Sequence, residues 1–344
     1  MAKVLFIARN SKHRYGEYSK NSIGLTNSAT FVVNKLNQIG HEARFVIVHD
    51  NNYVDRVVSE YRPDFVVIEA LWLTPQKLNE LLRIHRHPVW LFRIHSKAPF
   101  LAMEGMAIEW ICRYNELRDL YGNVDISCNN QQFNDELNST LGLSSVYLPN
   151  MYFPSFPKQH HTPIYDCGHR DINIGCFGAV RGLKNQLLQA MAAIMFGNRI
   201  GRRICFHMNT TRQEQGGDAV YKNIEALFNN TEHKLVTNEW YSHHEFVTKL
   251  LPKMDLCLQV SLSESFNIVT SDCIYAGIPC VVSEEIDWAS QFMKVNPNSA
   301  HAIATKLNQF WHLRLNYPNY LAEAALQGYN KYAIRNWLKY LQLN

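Results

Sequence analysis

The sequence predicts an α/β fold made of two Rossmann-like, doubly wound domains that face each other across a cleft. The 344 residues, of which 47% are hydrophobic, can bury two cores. Short apolar runs of strand length alternate with helical stretches along most of the chain, which favours parallel sheets covered on both faces. A proline-rich stretch over residues 149–170 interrupts this alternation and predicts a boundary between the domains.

The first predicted domain covers residues 1–150. Its first apolar run is closed by Arg9 after five residues, which predicts a strand and not a signal peptide. Gly40 suits the end of the first helix. The predicted strands are residues 4–8, 44–48, 65–68, 89–94, 124–128 and 145–148, and the predicted helices are residues 25–39, 76–86 and 100–120.

A linker is predicted over residues 151–170 and a second domain over residues 171–318. A long helical pattern with regularly spaced aromatic residues predicts a C-terminal helix within residues 319–344. The predicted strands of the second domain are residues 172–177, 203–207, 234–237, 255–260 and 278–282.

Composition argues against several classes of protein. The formal charge of +4 is too small to indicate nucleic-acid binding by itself. No apolar stretch approaches the roughly 18 residues that a membrane-spanning helix needs. The eight cysteines are scattered, with no C-x-x-C pair and no zinc-like spacing, which predicts reduced thiols, a cytoplasmic location and no metal site. The sequence leaves the oligomeric state open.

Two acidic residues follow the predicted strand 255–260. Glu264 lies where the strand gives way to a helix predicted over about residues 265–276, beside backbone N–H groups that can bind an anion. Asp272 follows about two helical turns later, so the two carboxylates are expected roughly on one side. The alternative interpretation is a capped helix with one surface carboxylate at each end.

The stretch Glu264–Asp272, followed by Ala-Gly-Ile-Pro over residues 276–279, resembles the acidic-pair motif of the retaining, nucleotide-sugar-dependent GT-B glycosyltransferases of the glycosyl transferases group 1 type. That motif is Glu, seven residues and Glu, then a small residue, Gly, a variable residue and Pro. Asp272 replaces the second Glu, and its side chain is one methylene shorter. The resemblance covers most of the chain and implies the GT-B fold, with the C-terminal helix packing back on the first domain.

A second stretch, Phe177–Asn185, combines glycines with Arg181 and Lys184 at the entry to a helix. Such a turn can bind a diphosphate, and the alternative is an ordinary surface loop. The stretch resembles the family's Gly-Arg turn with a downstream Lys, which implies that the two cations bind the donor phosphates. The resemblance also implies that Glu264 contacts the donor sugar and Asp272 the ribose. The other implied donor-binding residues of this domain are Ser265, Phe266, Asn267 and Ile268.

The turn after residues 234–237 contains Trp240 and Tyr241. The resemblance to the GT-B family implies that one of these side chains packs around the nucleobase. A packing role is the alternative for either aromatic side chain. His243 and His244, which follow this turn, are predicted to be an exposed helix start.

In the first domain, Gly24 resembles the family's glycine loop that faces the donor diphosphate, and His95 resembles a histidine near the donor sugar and the acceptor. A histidine at a strand end is otherwise commonly structural. Arg14, in a basic loop, and Lys97 are candidate acceptor contacts. This loop can steer an anionic acceptor, such as a glycan, a phosphorylated lipid or DNA, and a solvated charged face is the alternative.

The resemblance therefore implies a retaining glycosyltransferase that moves a sugar from a nucleoside-diphosphate sugar, for example a UDP-sugar, to a hydroxyl acceptor without a metal or a cofactor. Electrostatic stabilisation of the leaving diphosphate would drive the reaction. The predicted catalytic residues are Glu264, His95, Arg181 and Lys184. Three alternatives stay open: the same chemistry on hydroxymethylated bacteriophage DNA, a nucleotide-sugar epimerase, and a catalytically idle GT-B scaffold that binds a partner.

Overall fold

The structure, a computed structural model, describes residues 1–10, 23–158 and 170–343. The chain divides into two compact units. The first unit is Met1–Pro154 together with Tyr329–Asn344, and the second unit is Ser155–Gly328.

The strands of each unit form one parallel, six-stranded sheet. The strands of the first unit are β1 Lys3–Arg9, β2 Glu42–Val48, β3 Phe65–Glu69, β4 Val89–Ile94, β5 Val124–Cys128 and β6 Val146–Tyr147. Those of the second unit are β7 Ile172–Gly175, β8 Ile204–Asn209, β9 Lys234–Asn238, β10 Leu256–Gln259, β11 Cys280–Ser283 and β12 Lys294–Val295.

The first sheet has the order β2-β1-β3-β4-β5-β6 and the second has the order β12-β11-β10-β7-β8-β9. In each sheet the chain moves outward on one side, returns to the centre, and then builds the other side. This places a topological switch point between β1 and β3 in the first sheet and between β7 and β10 in the second. Open α/β sheets bind ligands beyond the carboxyl ends of the strands at such points.

Helices lie between most consecutive strands, as parallel sheets require, and the last two follow the final strand. They are α1 Ile23–Gln38, α2 Tyr53–Tyr61, α3 Pro75–Ile84, α4 Ala98–Leu101, α5 Ala107–Tyr121 and α6 Gln131–Leu141, then α7 Gln186–Ile200, α8 Gly217–Asn229, α9 His243–Glu245, α10 Ile268–Ala276, α11 Ala300–Leu313 and α12 Asn319–Leu343. A π-helical segment over Phe246–Leu250 continues α9, and a 3-10 turn over Gly182–Lys184 precedes α7.

The first sheet is covered on both faces, which explains why its strands are apolar without alternation. On β1, Leu5 and Ile7 belong to one buried cluster, while Val4 and Phe6 belong to the cluster on the opposite face. The second cluster also contains Trp337 from the end of α12. Its ring packs 5.6 Å from that of Phe6, and its indole N–H donates to the carbonyl of Pro149 at 3.0 Å.

Several predicted boundaries were wrong. The helix predicted from residue 265 begins at Ile268, because Asn267 caps it in a left-handed conformation. The helix predicted over residues 100–120 is two helices, α4 and α5. The sequence interpretation named no helix at α2, α6, α8 or α11 and missed the two-residue strand β12. Such a short edge strand carries too few residues to show a period.

Candidate active site

The loops after β7 and β10 meet at the switch point of the second sheet. These strands are direct neighbours, with Cys257 paired to Gly175, so the residues that follow each strand emerge side by side. One loop contains Arg181 and Lys184, and the other contains Glu264. The topology thus brings together the two motifs that the sequence analysis singled out.

The loop after β7 has a backbone that few residues could adopt. Gly178 has φ +124°, a conformation that L side chains rarely adopt, and the Lys184 side chain lies across it. Asn185 is left-handed at φ 56°, and its side-chain amide donates to the carbonyl oxygens of Val260 at 3.1 Å and Pro297 at 2.7 Å. These bonds fix the Arg181–Lys184 turn against the end of β10.

The central interaction of the site is an ion pair between Lys184 and Glu264. The ammonium donates to Oε1 of the carboxylate, and the hydroxyl of Ser261 donates to the same oxygen at 2.8 Å. The side chain of Lys184 is 14% exposed and that of Glu264 is 9% exposed. Both charges are therefore largely removed from water but not sealed from it.

Glu264 is held in its ionised form. Burial alone would raise the pKa of this carboxyl, but Lys184, with smaller contributions from Arg181 and Ser261, lowers the pKa below its ordinary value. A carboxylate that stays charged at neutral pH can accept hydrogen bonds from hydroxyl groups. Such a group has no proton to donate at that pH.

A buried polar chain positions the segment that follows Glu264. The Asn267 side chain accepts from the Thr270 N–H at 2.9 Å and donates to Gln259 at 3.0 Å. Gln259 in turn donates to the carbonyl of Phe177 at 3.0 Å. Phe266 is buried, packs against Trp288, and accepts the indole N–H of Trp288 on its carbonyl at 2.7 Å. The N-terminus of α10, including Ile268, is thereby fixed beside both loops.

Asp272 is not the surface carboxylate of the alternative interpretation. It is 1% exposed, and its Oδ1 lies 2.7 Å from His243 Nε2. His243 begins α9 as predicted and His244 is exposed, but the His243 side chain is only 14% exposed and its ring packs 5.4 Å from that of Phe156. Glu264 lies in the loop before α10, so helical spacing alone does not set its position relative to Asp272.

Arg181 has a partner that the sequence interpretation did not identify. Its Nη1 lies 3.3 Å from Glu214 Oε2, in the loop after β8. Glu214 also accepts from Arg212, whose guanidinium lies over the ring of Trp240 at 5.5 Å. Neither Arg212 nor Glu214 belongs to a recognisable motif. Only their position after a sheet strand could have indicated them.

In the first unit, His95 is part of a buried polar cluster at the carboxyl ends of β3 and β4. Its Nε2 contacts Glu69, which also accepts from Arg93 at 3.1 Å. Arg93 donates to Asn150 at 2.6 Å. Glu69 and Arg93 are fully buried, whereas the His95 side chain is 10% exposed. The sequence did not indicate a role for Glu69, because a glutamate at the end of an apolar run is typical of the first residue of a loop.

The charge states within this cluster follow from its contacts. Burial would raise the pKa of Glu69, but Arg93 and His95 lower it below the ordinary value. Burial lowers the pKa of His95, more than Glu69 raises it. The imidazole is therefore neutral at pH 7, with its Nε2 proton donated to Glu69 and Asn129 facing Nδ1 at 3.4 Å.

The remaining candidates are dispersed. Gly24 is the second residue of α1 and is exposed, with open space where a Cβ would lie. Lys97 precedes α4 and is only 8% exposed, so it does not belong to a solvated charged face. Arg14 lies outside the described residues.

Within residues 1–10, 23–158 and 170–343, no group of three or more His, Cys, Asp or Glu side chains could hold a metal ion. Across the same ranges, every helix is too short or too polar to cross a bilayer.

Solved structures share the fold. Sucrose-phosphate synthase from Thermosynechococcus elongatus is 13% identical, with a TM-score of 0.63 over 99% of each chain. A trehalose-phosphate synthase (UDP-forming) from Burkholderia xenovorans, solved with glucose-6-phosphate, is 12% identical, with a TM-score of 0.63 over 98% of this chain and 100% of that one. TarM from S. aureus, solved with fondaparinux, alpha-GlcNAc-glycerol and UDP, is 14% identical, with a TM-score of 0.62.

The match to TarM covers 85% of this chain, which spans 58% of the TarM chain. No curated protein matches the chain in sequence. The two parallel sheets and these structures confirm the predicted GT-B fold of two Rossmann-like domains.

The sequence model of one family, described as Family 4 Glycosyltransferase in conflict systems, matches residues 130–306. The match covers just over half of the chain and includes both loops of the site. The predicted relationship to the GT-B glycosyltransferases is therefore confirmed, and the chain belongs to the family 4 glycosyltransferases of conflict systems.

Proposed function

We propose that the protein is a retaining glycosyltransferase that moves a sugar from a nucleoside-diphosphate sugar to a hydroxyl acceptor. The observation that carries this proposal is the Lys184–Glu264 pair at the switch point of the second sheet. A cation and an ionised carboxylate at this place match the two needs of such a donor, because the diphosphate requires positive charge and the sugar hydroxyls require an acceptor.

The proposed roles follow from the geometry. Lys184 and Arg181 bind the diphosphate and stabilise the negative charge that grows on it as the glycosidic bond breaks. The rigid segment from Ser265 to Ile268 places the N-terminus of α10 beside them, where a helix favours an anion. Glu264 accepts hydrogen bonds from the donor sugar and serves as neither nucleophile nor acid. The acceptor hydroxyl attacks from the side of the leaving diphosphate, so the anomeric configuration is retained.

We assign the nucleoside end of the donor to the Asp272–His243 pair. The short side chain of Asp272 is buried behind His243, so the imidazole extends the reach that the missing methylene would have given. The donor is proposed to be a UDP-sugar, which the UDP in the TarM structure supports. The proposal includes no metal or resident cofactor.

The acceptor is proposed to bind the first unit, with Lys97 and Arg14 as candidate contacts and His95 as a candidate catalytic residue. Gly24 stays a predicted donor-binding residue. Neutral His95 is the best supported of these candidates, because Glu69, which is itself paired with Arg93, holds its ring in one orientation. An anionic acceptor fits the basic composition of residues 9–20. We place the reaction in the cytoplasm, which the free thiols of the seven described cysteines support.

One observation favours a second acceptor class. The family description refers to conflict systems, which fits modified bacteriophage DNA as the acceptor. Binding to hydroxymethylated DNA that weakens steeply with salt would support this alternative. Binding that does not change with salt would contradict it.

A thermal-shift screen with UDP, GDP, ADP and TDP and their glucose derivatives tests the proposed donor class. A bound ligand raises the melting temperature by mass action, so one nucleotide series should stabilise the protein. Release of nucleoside diphosphate in the presence of cell extract, with the sugar recovered on an acceptor, would establish transfer. Release of an epimerised sugar without acceptor would show an epimerase, and no stabilisation by any nucleotide would show an idle scaffold.

A further inference from the structure

Glu214 connects two guanidinium groups in the second unit. Its Oε2 lies 3.3 Å from Arg181 Nη1, and its Oε1 accepts from Arg212 Nε at 2.6 Å and lies 2.5 Å from Arg212 Nη2. A carboxylate shared in this way holds both planar donors in fixed orientations. Arg181 is a proposed diphosphate ligand, so Arg212 is fixed beside the same site.

The backbone holds Arg212 in place independently of its charge. The Val180 N–H donates to the Arg212 carbonyl at 2.9 Å, and the Glu214 N–H donates back to the Val180 carbonyl at 2.9 Å. Gly217 completes the contact, since a Cβ at this position would lie 2.1 Å from the Val180 carbonyl oxygen. The loop after β8 is therefore joined to the turn that carries Arg181.

A third contact comes from the loop after β9. The Arg212 guanidinium lies 5.5 Å from the centroid of the Trp240 ring, within the range of a cation–π interaction. The Arg181, Glu214 and Arg212 side chains are 20%, 27% and 26% exposed, so each still reaches solvent. A cation that is fixed by carboxylate and indole, yet accessible, is ready to bind an anion without reorganising.

We propose that Arg212 is a third cation of the donor-diphosphate site and that Glu214 is the positioning residue that aligns it with Arg181. This inference rests on the proposed function, because it uses Arg181 as a diphosphate ligand. The charges of the site support it. Lys184 pairs with Glu264, and Arg181 and Arg212 both contact Glu214, so among these five side chains the cations outnumber the carboxylates by one. That charge matters most for the leaving diphosphate.

Titration calorimetry with the full chain tests the role of Arg212. The ligands are the nucleoside diphosphate that binds the wild type most tightly and the corresponding monophosphate. Arg212→Gln should lower the diphosphate affinity about tenfold, the loss expected for one charge-assisted hydrogen bond, and change the monophosphate affinity much less. Arg212→Lys keeps the charge but loses the planar guanidinium. Its diphosphate affinity should lie between those of the wild type and Arg212→Gln. The matched control is Arg203→Gln, since Arg203 leads into β8 at its opposite end and pairs with Asp171 at 2.7 Å.

Glu214→Gln separates alignment from simple electrostatics. Removing a negative charge beside two cations should tighten diphosphate binding if charge alone matters, whereas loss of alignment should weaken it. Weaker binding supports the positioning role, and tighter binding overturns it. Equal diphosphate affinity of the wild type, Arg212→Gln and Arg212→Lys would overturn the inference and leave the proposed donor site standing. A wild type that binds no nucleoside diphosphate would instead refute the proposed function.

Discussion

Lys184 donates a hydrogen bond to Glu264 although 80 positions separate the two residues in the chain. The contact exists because β7 and β10 are neighbours in the second sheet, so the loops that follow them emerge at one point. An anion at this point would compete with Glu264 for the ammonium. The pair thus links donor binding to the electrostatics of the site.

Lys184→Ala should abolish most transfer while leaving the protein folded. Loss of one preorganised charge aimed at a leaving group costs about 10²- to 10³-fold in kcat. Donor turnover and the melting temperature are the measurements. Lys249→Ala is the matched control, because Lys249 pairs with Glu245 on an exposed helical segment at 2.8 Å. Turnover of Lys184→Ala within a few fold of the Lys249→Ala value would contradict the assignment.

Glu264→Gln should destabilise the protein in a pH-dependent way. The folded-state pKa of Glu264 lies below its ordinary value of 4.5, so ionised Glu264 stabilises the fold above about pH 4.5. This contribution is lost as the pH falls through the lowered pKa. The difference in free energy of unfolding between wild type and variant should therefore be largest near pH 7 and shrink below pH 4.5. Denaturant melts at several pH values measure it, and a constant difference would refute the ion-pair account.

Asp272→Asn and His243→Ala should weaken the binding of the donor and leave the binding of the acceptor unchanged. Each breaks the pair that we assign to the nucleoside end, so each should raise the donor KM about tenfold, the effect of one lost hydrogen bond to a charged group. The acceptor KM should stay the same. A 2′-deoxyribose donor provides the second test, since its penalty in the wild type should shrink in His243→Ala. Equal penalties in both proteins would remove the pair from ribose recognition.

Asp272→Glu tests the same assignment from the opposite direction. The longer side chain restores the reach of the family motif, but it must share its buried position with His243. We expect partial activity in Asp272→Glu and more in the double variant with His243→Ala. A double variant less active than either single variant would show that His243 has another role.

His95→Ala should lower transfer without lowering donor affinity. His95 belongs to the first unit, whereas the proposed donor contacts of the acidic pair lie in the second. A loss of about 10²-fold in kcat is expected if the imidazole exchanges a proton with the acceptor hydroxyl. Because burial lowers the pKa of His95 from its ordinary value of 6.5, the wild-type rate should fall in acid at a lower pH than a solvent-exposed histidine would give. Loss of nucleotide affinity in this variant would place His95 among the donor residues instead.

The sequence predicted most of the fold because parallel strands covered on both faces are uniformly apolar and separated by helices. It also predicted that Lys184 and Glu264 serve one site, since each belongs to a motif that follows a strand. It could not predict partners that depend on strand order. His243 contacts Asp272, and Glu214 contacts Arg181, only because the segments that follow β7, β8, β9 and β10 come together in space. No local pattern records such contacts.

The burial of charged side chains was the second feature that the sequence could not predict. The alternative interpretation placed Asp272 at the surface, because carboxylates are seldom buried without a partner and its partner lies 29 positions away. Glu69 and Arg93 are likewise buried because each is the partner of the other, and their charges pair inside the first unit.

The most direct test of the account is calorimetric binding of nucleoside diphosphates to the wild type, Lys184→Ala and Lys249→Ala. The account predicts that one nucleoside diphosphate binds the wild type and Lys249→Ala equally, and binds Lys184→Ala at least tenfold more weakly. Equal binding to all three proteins, or no binding of any nucleoside diphosphate to the wild type, would contradict it.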